Sequence, residues 1–282
     1  MILLLWAINF LFASVIYFLI SGLFNSAVAP HIDVDQLMKE LDFSVILDFI
    51  LANGGALSTI ISIGLILIFM YFLASHLIYG GILNTFRSGR KSGEAGKKLR
   101  FMAVFWEGAG KFFFRFLILS VLSILLWLGF LFINLILKPI GSLLTNSGAN
   151  EQMLVYVFIG RVIVALFFIF LIKMILDYAR IQIVLEDNRN VLFSFFQAIG
   201  FVFRRLGKTL ALFYLILFTG ALFFVILLFL KSLIAATTLG AVIIAFIIGQ
   251  VIIMIRGWTS LFFQSGQMEL YSAGIKSQVN EE

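Results

Sequence analysis

The 282 residues are 62% apolar and 12% charged, with a mean hydropathy of +1.14. Soluble domains carry roughly a quarter of their residues as charges, so this composition excludes a soluble globular fold and describes an integral membrane protein. The net charge of +6 would suggest nucleic acid in a soluble chain, but here the cations collect beside apolar runs, where membrane topology and anionic lipid account for them, and no nucleic-acid partner is expected.

Six apolar segments, each of about 20 residues and long enough to cross a bilayer, fill most of the chain, so residues 1–282 read as a single membrane domain. Span 1 is expected over about 2–24. It lacks the basic n-region and small-residue cleavage site of a signal peptide and is expected to be retained, while the apolar residue after Met1 leaves room for a short basic leader ahead of it. An acidic connection follows from Pro30 to Asp35, with short amphipathic turns around Leu37 to Leu41 and Val45 to Ile50, the second capped by Ser44. Asn53-Gly54-Gly55 punctuates the chain before span 2, about 57–79.

The loop 87–100 holds six basic residues among its fourteen and is expected on the cytoplasmic side. Span 3 (about 114–137) is expected to end at Lys138-Pro139, because proline cannot continue the helical hydrogen-bond ladder. Span 4 follows over about 153–175, then a cytoplasmic stretch at 177–193, span 5 over about 209–230 and span 6 over about 240–259. Fifteen of the 20 lysines and arginines fall at 87–115, at 180–208 and from Arg256 onward, whereas the opposite side carries Asp33, Asp35, Glu40, Asp42, Asp48 and Glu151. Both termini are therefore expected in the cytoplasm.

Two related stretches precede spans 3 and 5. In the first, Trp106, Ala109, Phe113 and Phe116 oppose Glu107, Lys111 and Arg115; in the second, Phe196, Ile199, Val202, Phe203 and Leu206 oppose Gln197, Arg204, Arg205 and Lys208. An aromatic face with a basic back suits a helix lying in the headgroup layer, so interfacial amphipathic elbows are expected over about 102–113 and 194–206. Ser194 and Gln197 form an S-x-x-Q capping box for the second. Phe105/Phe195, Gly110/Gly200, Phe113/Phe203 and Arg115/Arg205 align without a gap, the pattern of a parallel internal repeat. The expected fold is an all-α bundle of six transmembrane helices and two elbows.

Few residues invite chemistry. Arg161 interrupts the apolar run of span 4; it reads either as an anion or headgroup site within the bundle, or as an arginine that snorkels outward or bonds Asn134. Asp177 and Arg256 are expected at similar depth as an ion pair, a lock between spans 4 and 6 or a proton-coupled gate. Ala241, Ala245 and Gly249 form a small-xxx-small stripe for close packing against another helix, from this chain or from a second copy. Lys111, Arg115, Arg204, Arg205 and Lys208 are candidate contacts for anionic headgroups. The chain has no cysteine, no metal-ligand spacing of its two histidines, and no H-E-x-x-H, G-x-S-x-G or P-loop motif; no catalytic residue, cofactor or metal is expected.

Several pieces together resemble a large, mostly uncharacterised group of bacterial six-pass inner-membrane proteins, which includes the membrane domain attached to some glycerophosphodiester phosphodiesterases. They are Tyr79-Gly80-Gly81, Phe105 with Gly110 and Phe113, Asp177-Tyr178-Ala179-Arg180 with Glu186-Asp187, and Gln264 with Gln267 and Tyr271. The resemblance implies a multi-pass inner-membrane architecture; no phosphodiesterase motif is present, so it implies none of that chemistry. The expected function is non-enzymatic, an interaction with anionic membrane lipids, a membrane-protein partner or a second copy, with a small transporter sited near Arg161 as the alternative. A single cysteine placed at Lys97 should react with a membrane-impermeant maleimide in inverted vesicles and stay unlabelled in intact cells; the reverse pattern would invert the topology.

Overall fold

A computed structural model describes residues 1–27, 54–95, 100–145, 151–234 and 238–279. Among them the chain forms seven helices and no strand: α1 Ile2–Ala27, α2 Gly54–Ala95, α3 Phe101–Thr145, α4 Glu151–Leu185, α5 Val191–Arg204, α6 Leu206–Ser232 and α7 Leu239–Val279. All but α5 are long and apolar enough to cross a membrane, and α5, about 21 Å long, is not. The protein is an all-α polytopic membrane protein, as its composition requires.

The helices overrun the apolar runs that announce them. Residues 87–95 of the expected basic loop continue α2, residues 177–185 continue α4, and the tail after span 6 is helical to Val279. The first elbow is not a separate element: 102–113 is the start of the 45-residue α3. Pro139 does not end span 3 either, since α3 passes through it to Thr145. A proline removes one ladder bond, and within a long apolar helix neighbouring groups absorb the loss. The turns expected between 37 and 50, with the Ser44 cap, lie outside the described residues.

Packing divides the chain into two compact units, Met1–Ser75 and His76–Glu282. In the first, the Tyr71 hydroxyl donates to Asn9 Oδ1 (3.2 Å), and Asn9 Nδ2 donates to the Leu5 carbonyl one turn back (2.8 Å). Beside this pair, α1 and the first part of α2 leave an apolar cavity of about 470 Å³, lined by Phe12, Ile16, Ile63 and Leu67 among others.

The second unit is built around the C-terminal half of α4. Met174, Ile175, Tyr178, Ala179, Ile181, Ile183 and Val184 are buried around the whole circumference of that helix. Against them pack Phe112, Phe116 and Leu119 of α3, Phe195, Ala198 and Val202 of α5, Phe213 and Ile216 of α6, and Phe263, Met268 and Tyr271 of α7. The opposite halves differ. From Val155 to Phe167 on α4, and from Leu239 to Ile253 on α7, no described side chain is fully buried.

Where α2 crosses α3, small residues set the distance. A methyl group on Gly108 would lie 2.8 Å from the Gly80 carbonyl oxygen and overlap the Asn84 side chain, and one on Gly81 would strike the Phe105 ring. Asn84 Nδ2 donates across this crossing to the Val104 carbonyl (2.9 Å). The Ala241, Ala245 and Gly249 stripe is not such a site: its alanines are half-buried, and a methyl group on Gly249 would meet nothing within 4 Å. The close approach of α7 to α6 falls instead at Gly220, whose added methyl would lie 2.7 Å from Thr259 Cγ2.

The internal repeat is visible as burial register. At an offset of 90, Phe105 and Phe195, Gly108 and Ala198, Phe112 and Val202, and Leu119 and Thr209 are all buried, whereas Met102 and Leu192, Trp106 and Phe196, and Phe114 and Arg204 are all exposed. Both stretches therefore present the same face to the core. The aromatic sets read from the sequence are divided by it: Ala109, Phe116 and Val202 are buried, whereas Trp106, Phe196 and Phe203 are exposed.

Replacing Gly108 by Ala should destabilise the detergent-solubilised protein by about 1–3 kcal/mol through overpacking. Gly249→Ala should be neutral or stabilising by up to about 1 kcal/mol, since only helix propensity changes there. Thermal unfolding of the two variants distinguishes a tight crossing from an open face.

Candidate functional site

Polar residues gather in the last three turns of α4, at Asp177, Tyr178, Arg180 and Gln182, and, just past its end, at Glu186. In an otherwise apolar core each needs a partner. Asp177 accepts from the Arg180 guanidinium one turn on (3.1 Å) and from the Gln267 side chain of α7. Arg180 in turn covers the Tyr79 ring of α2, 4.7 Å from its centroid, a cation–π contact. Gln182 donates to Gln197 Oε1 of α5 and to Glu186 Oε2 (3.4 Å), and the Tyr271 hydroxyl of α7 donates to Glu186 Oε1 (2.8 Å). The rings of Tyr178, Phe201 and Tyr271 stack in sequence at 5.0 and 4.9 Å.

The network is not saturated. Tyr178 Oη, Gln182 Oε1, Ser194 Oγ, Gln264 Oε1 and Gln267 Oε1 are buried without a hydrogen-bond partner among the described residues. An unmet buried polar atom costs about 1–3 kcal/mol, so this corner holds hydrogen-bonding capacity that the protein itself leaves unused. Among the described residues no three His, Asp or Glu side chains gather in a metal-binding group.

The chain then reverses through residues 186–190. Asp187 adopts the left-handed conformation, at φ 52°, which Asp and Asn tolerate better than other side chains. Asn188 Oδ1 accepts from the Asn190 amide (2.9 Å), and Asn190 caps α5 by accepting from the Phe193 amide (3.2 Å). The expected capping box is thus displaced by one turn: Ser194 is buried inside α5 and Gln197 is engaged by Gln182. An asparagine at the point where the chain enters the helix is the better placed cap.

Asp187 also receives Lys111 (2.5 Å) and Arg115 (2.9 Å) from α3, and Arg115 reaches the Asn188 carbonyl as well (3.3 Å). The Lys111 hydrogen bond above all, helped by that of Arg115 and by both charges, holds the Asp187 carboxyl down at about 2, below its ordinary value, although burial pushes the other way more than the Arg115 bond lowers it. Two further ties close the unit. Arg205 donates to the Gly274 carbonyl of α7 (2.9 Å), and Arg90 of α2 bonds Ser272 and lies 3.8 Å from Glu269.

Among the expected headgroup contacts, then, Lys111, Arg115 and Arg205 are occupied by protein groups, while Arg204 and Lys208 are exposed. Arg161 is exposed on α4 and makes no ion pair or hydrogen bond among the described residues; Asn134 donates to the Phe130 carbonyl on its own helix (3.0 Å), so the expected Arg161–Asn134 bond is not made. The expected Asp177–Arg256 pair is not made either. Gln267 is the residue of α7 level with Asp177, and Arg256 lies eleven residues, about 16 Å, farther along α7. The sequence reading did not reach Gln182, and it gave Gln197 only a local capping role and Asp187 no partner, because their partners lie on other elements. The available signal was the density of polar residues from 177 to 187.

Asp187→Asn keeps the left-handed backbone and removes only the charge. It should lower stability by about 1 kcal/mol at pH 7, the scale of a partly exposed ion pair. A carboxyl with a lowered folded-state pKa contributes above its unfolded value near 4 and loses that contribution as pH falls toward 2. The melting-temperature difference between wild type and variant should therefore be constant above about pH 5 and shrink below pH 4.

Compared with protein-family models, with curated proteins and with solved structures, the chain finds no match in any of the three.

Proposed function

We propose that this is a non-enzymatic protein of the bacterial inner membrane, with both termini in the cytoplasm, that contacts anionic lipid headgroups through α5 and the cations beside it. The observation that carries this reading is the outer face of α5. Its core face is taken by Val191, Ser194, Phe195, Ala198 and Val202, yet Leu192, Phe193, Phe196 and Phe203 remain exposed, next to exposed Arg204 and Lys208. Large exposed apolar side chains flanked by cations on a helix too short to span suit the headgroup layer, where rings enter the acyl boundary and cations meet phosphate. The start of α3 repeats the arrangement with exposed Met102, Trp106 and Phe114. Phe114 answers to Arg204 in the repeat, so the apolar half of the pattern is stronger on α3 and the basic half on α5.

The exposure of Arg161 supports outward snorkelling rather than an enclosed transport site. That Gln264, Gln267, Tyr271, Glu186 and Asp177 belong to one polar corner supports the resemblance to the six-pass inner-membrane group, whose separate pieces they are.

Because the chain contains no cysteine, a nitroxide at Phe196→Cys reports from one position. In nanodiscs containing phosphatidylglycerol it should show collision rates with oxygen and a soluble nickel chelate that place it at the headgroup boundary. Full aqueous exposure would remove the basis of the lipid-contact reading.

A further inference from the structure

The facing residues of α4 and α7 can be paired directly. Gln267 bonds Asp177, and the Phe263 ring lies 5.2 Å from Lys173 Nζ, so one turn on α4 matches one turn on α7. Counting outward from these pairs sets Arg256 level with Leu166, two turns or about 10 Å beyond Lys173. Arg256 also lies on the same face of α7 as Phe263 and Gln267, seven and eleven residues on, which is the face turned to α4. Yet Arg256 and Leu166 are both exposed. The buried residues of α4 begin at Leu171 and those of α7 at Leu261, so beyond that level the two helices no longer cover each other. The uncovered stretch between them, here the α4–α7 cleft, carries exposed Ile163, Leu166 and Ile253, with Lys173 at its base and Arg256 on α7.

Charge in this cleft is unbalanced. Lys173 is exposed and held between the rings of Phe213 (5.7 Å) and Phe263. The nearest carboxylate, Asp177, is one turn deeper in the core and already bound by Arg180 and Gln267. Among the described residues Arg180 alone makes an ion pair with Asp177, while Lys173 and Arg256, both within spans, make none. A cation at such depth costs a few kcal/mol unless an anion or water accompanies it.

We propose that the α4–α7 cleft binds an anionic lipid, its phosphate oxygens between Lys173 and Arg256 and its chains along the exposed walls of the two helices. Charge complementarity and side access through apolar walls favour a lipid over a soluble anion. A zwitterionic headgroup would bring its own cation to the place where cations are in excess. This inference shares with the preceding reading only the class of partner; its site lies on other helices.

The test uses the full chain in mild non-ionic detergent, with native mass spectrometry and added phosphatidylglycerol, phosphatidylcholine or inorganic phosphate. Wild type should retain one phosphatidylglycerol about tenfold more tightly than phosphatidylcholine, the scale of one charged hydrogen bond, and inorganic phosphate should not displace it. Lys173→Gln with Arg256→Gln should erase the preference, and Lys173→Arg with Arg256→Lys should restore it. Leu166→Trp, which fills the cleft and leaves both cations, should evict the lipid. Arg204→Gln with Lys208→Gln on α5 should leave the preference intact, so loss of surface contact and loss of the cleft site are read separately. Equal retention of the two lipids by wild type, displacement by inorganic phosphate, or an unchanged preference in the glutamine pair or in Leu166→Trp would overturn the proposal.

Discussion

A helix that is apolar on every side has to be surrounded, and the C-terminal half of α4 is such a helix. From Met174 to Val184 none of its residues is exposed, and α2, α3, α5, α6 and α7 of the second unit each bring side chains to it. Its polar residues are then forced into the same enclosure. Asp177, Arg180, Gln182 and Glu186 must be satisfied by whatever helix lies opposite, which ties α7 through Gln267 and Tyr271, α5 through Gln197 and α2 through the Tyr79 ring. Hydrophobic burial gathers the helices, and hydrogen bonds set their register.

The reversal at 186–190 extends the same logic outward. Asp187 turns the chain and takes two cations from α3, so the corner between α4 and α5 is fixed to the helix that precedes them both. Arg115 and Arg205, equivalent in the repeat, each hold a different element: one the corner, the other the Gly274 carbonyl on α7. The two stretches share a core face, and their arginines tie different elements. Arg204 and Lys208 are left for the surroundings.

The spans were readable because a run of about 20 apolar residues has one physical meaning in a chain of this composition. Helix ends were not. An apolar run marks the hydrocarbon, whereas a helix ends only where its backbone finds a better partner, and residues 87–95 and 177–185 offer none. Measuring depth from span ends therefore placed Asp177 and Arg256 together although α4 and α7 overrun by different lengths. Ser194 satisfied a capping pattern, but Asn190 stood one turn earlier and Ser194 was on the face the core required. The polar corner lay hidden for a related reason: Gln197 and Tyr271 stand on other helices than Gln182, and only the crossing of three helices brings them together.

The second unit is tight at one end and loose at the other. The α2–α3 glycine crossing, the ion pairs and the polar network lie toward the C-terminal ends of α4 and α7, while the N-terminal halves of these two helices hold no fully buried side chain. A mismatch between hydrophobic length and bilayer thickness is relieved by tilt, and tilt is resisted by interhelical packing. In a thinner or thicker bilayer those N-terminal halves can lean independently, like slats pinned along one edge, without disturbing the corner that holds them.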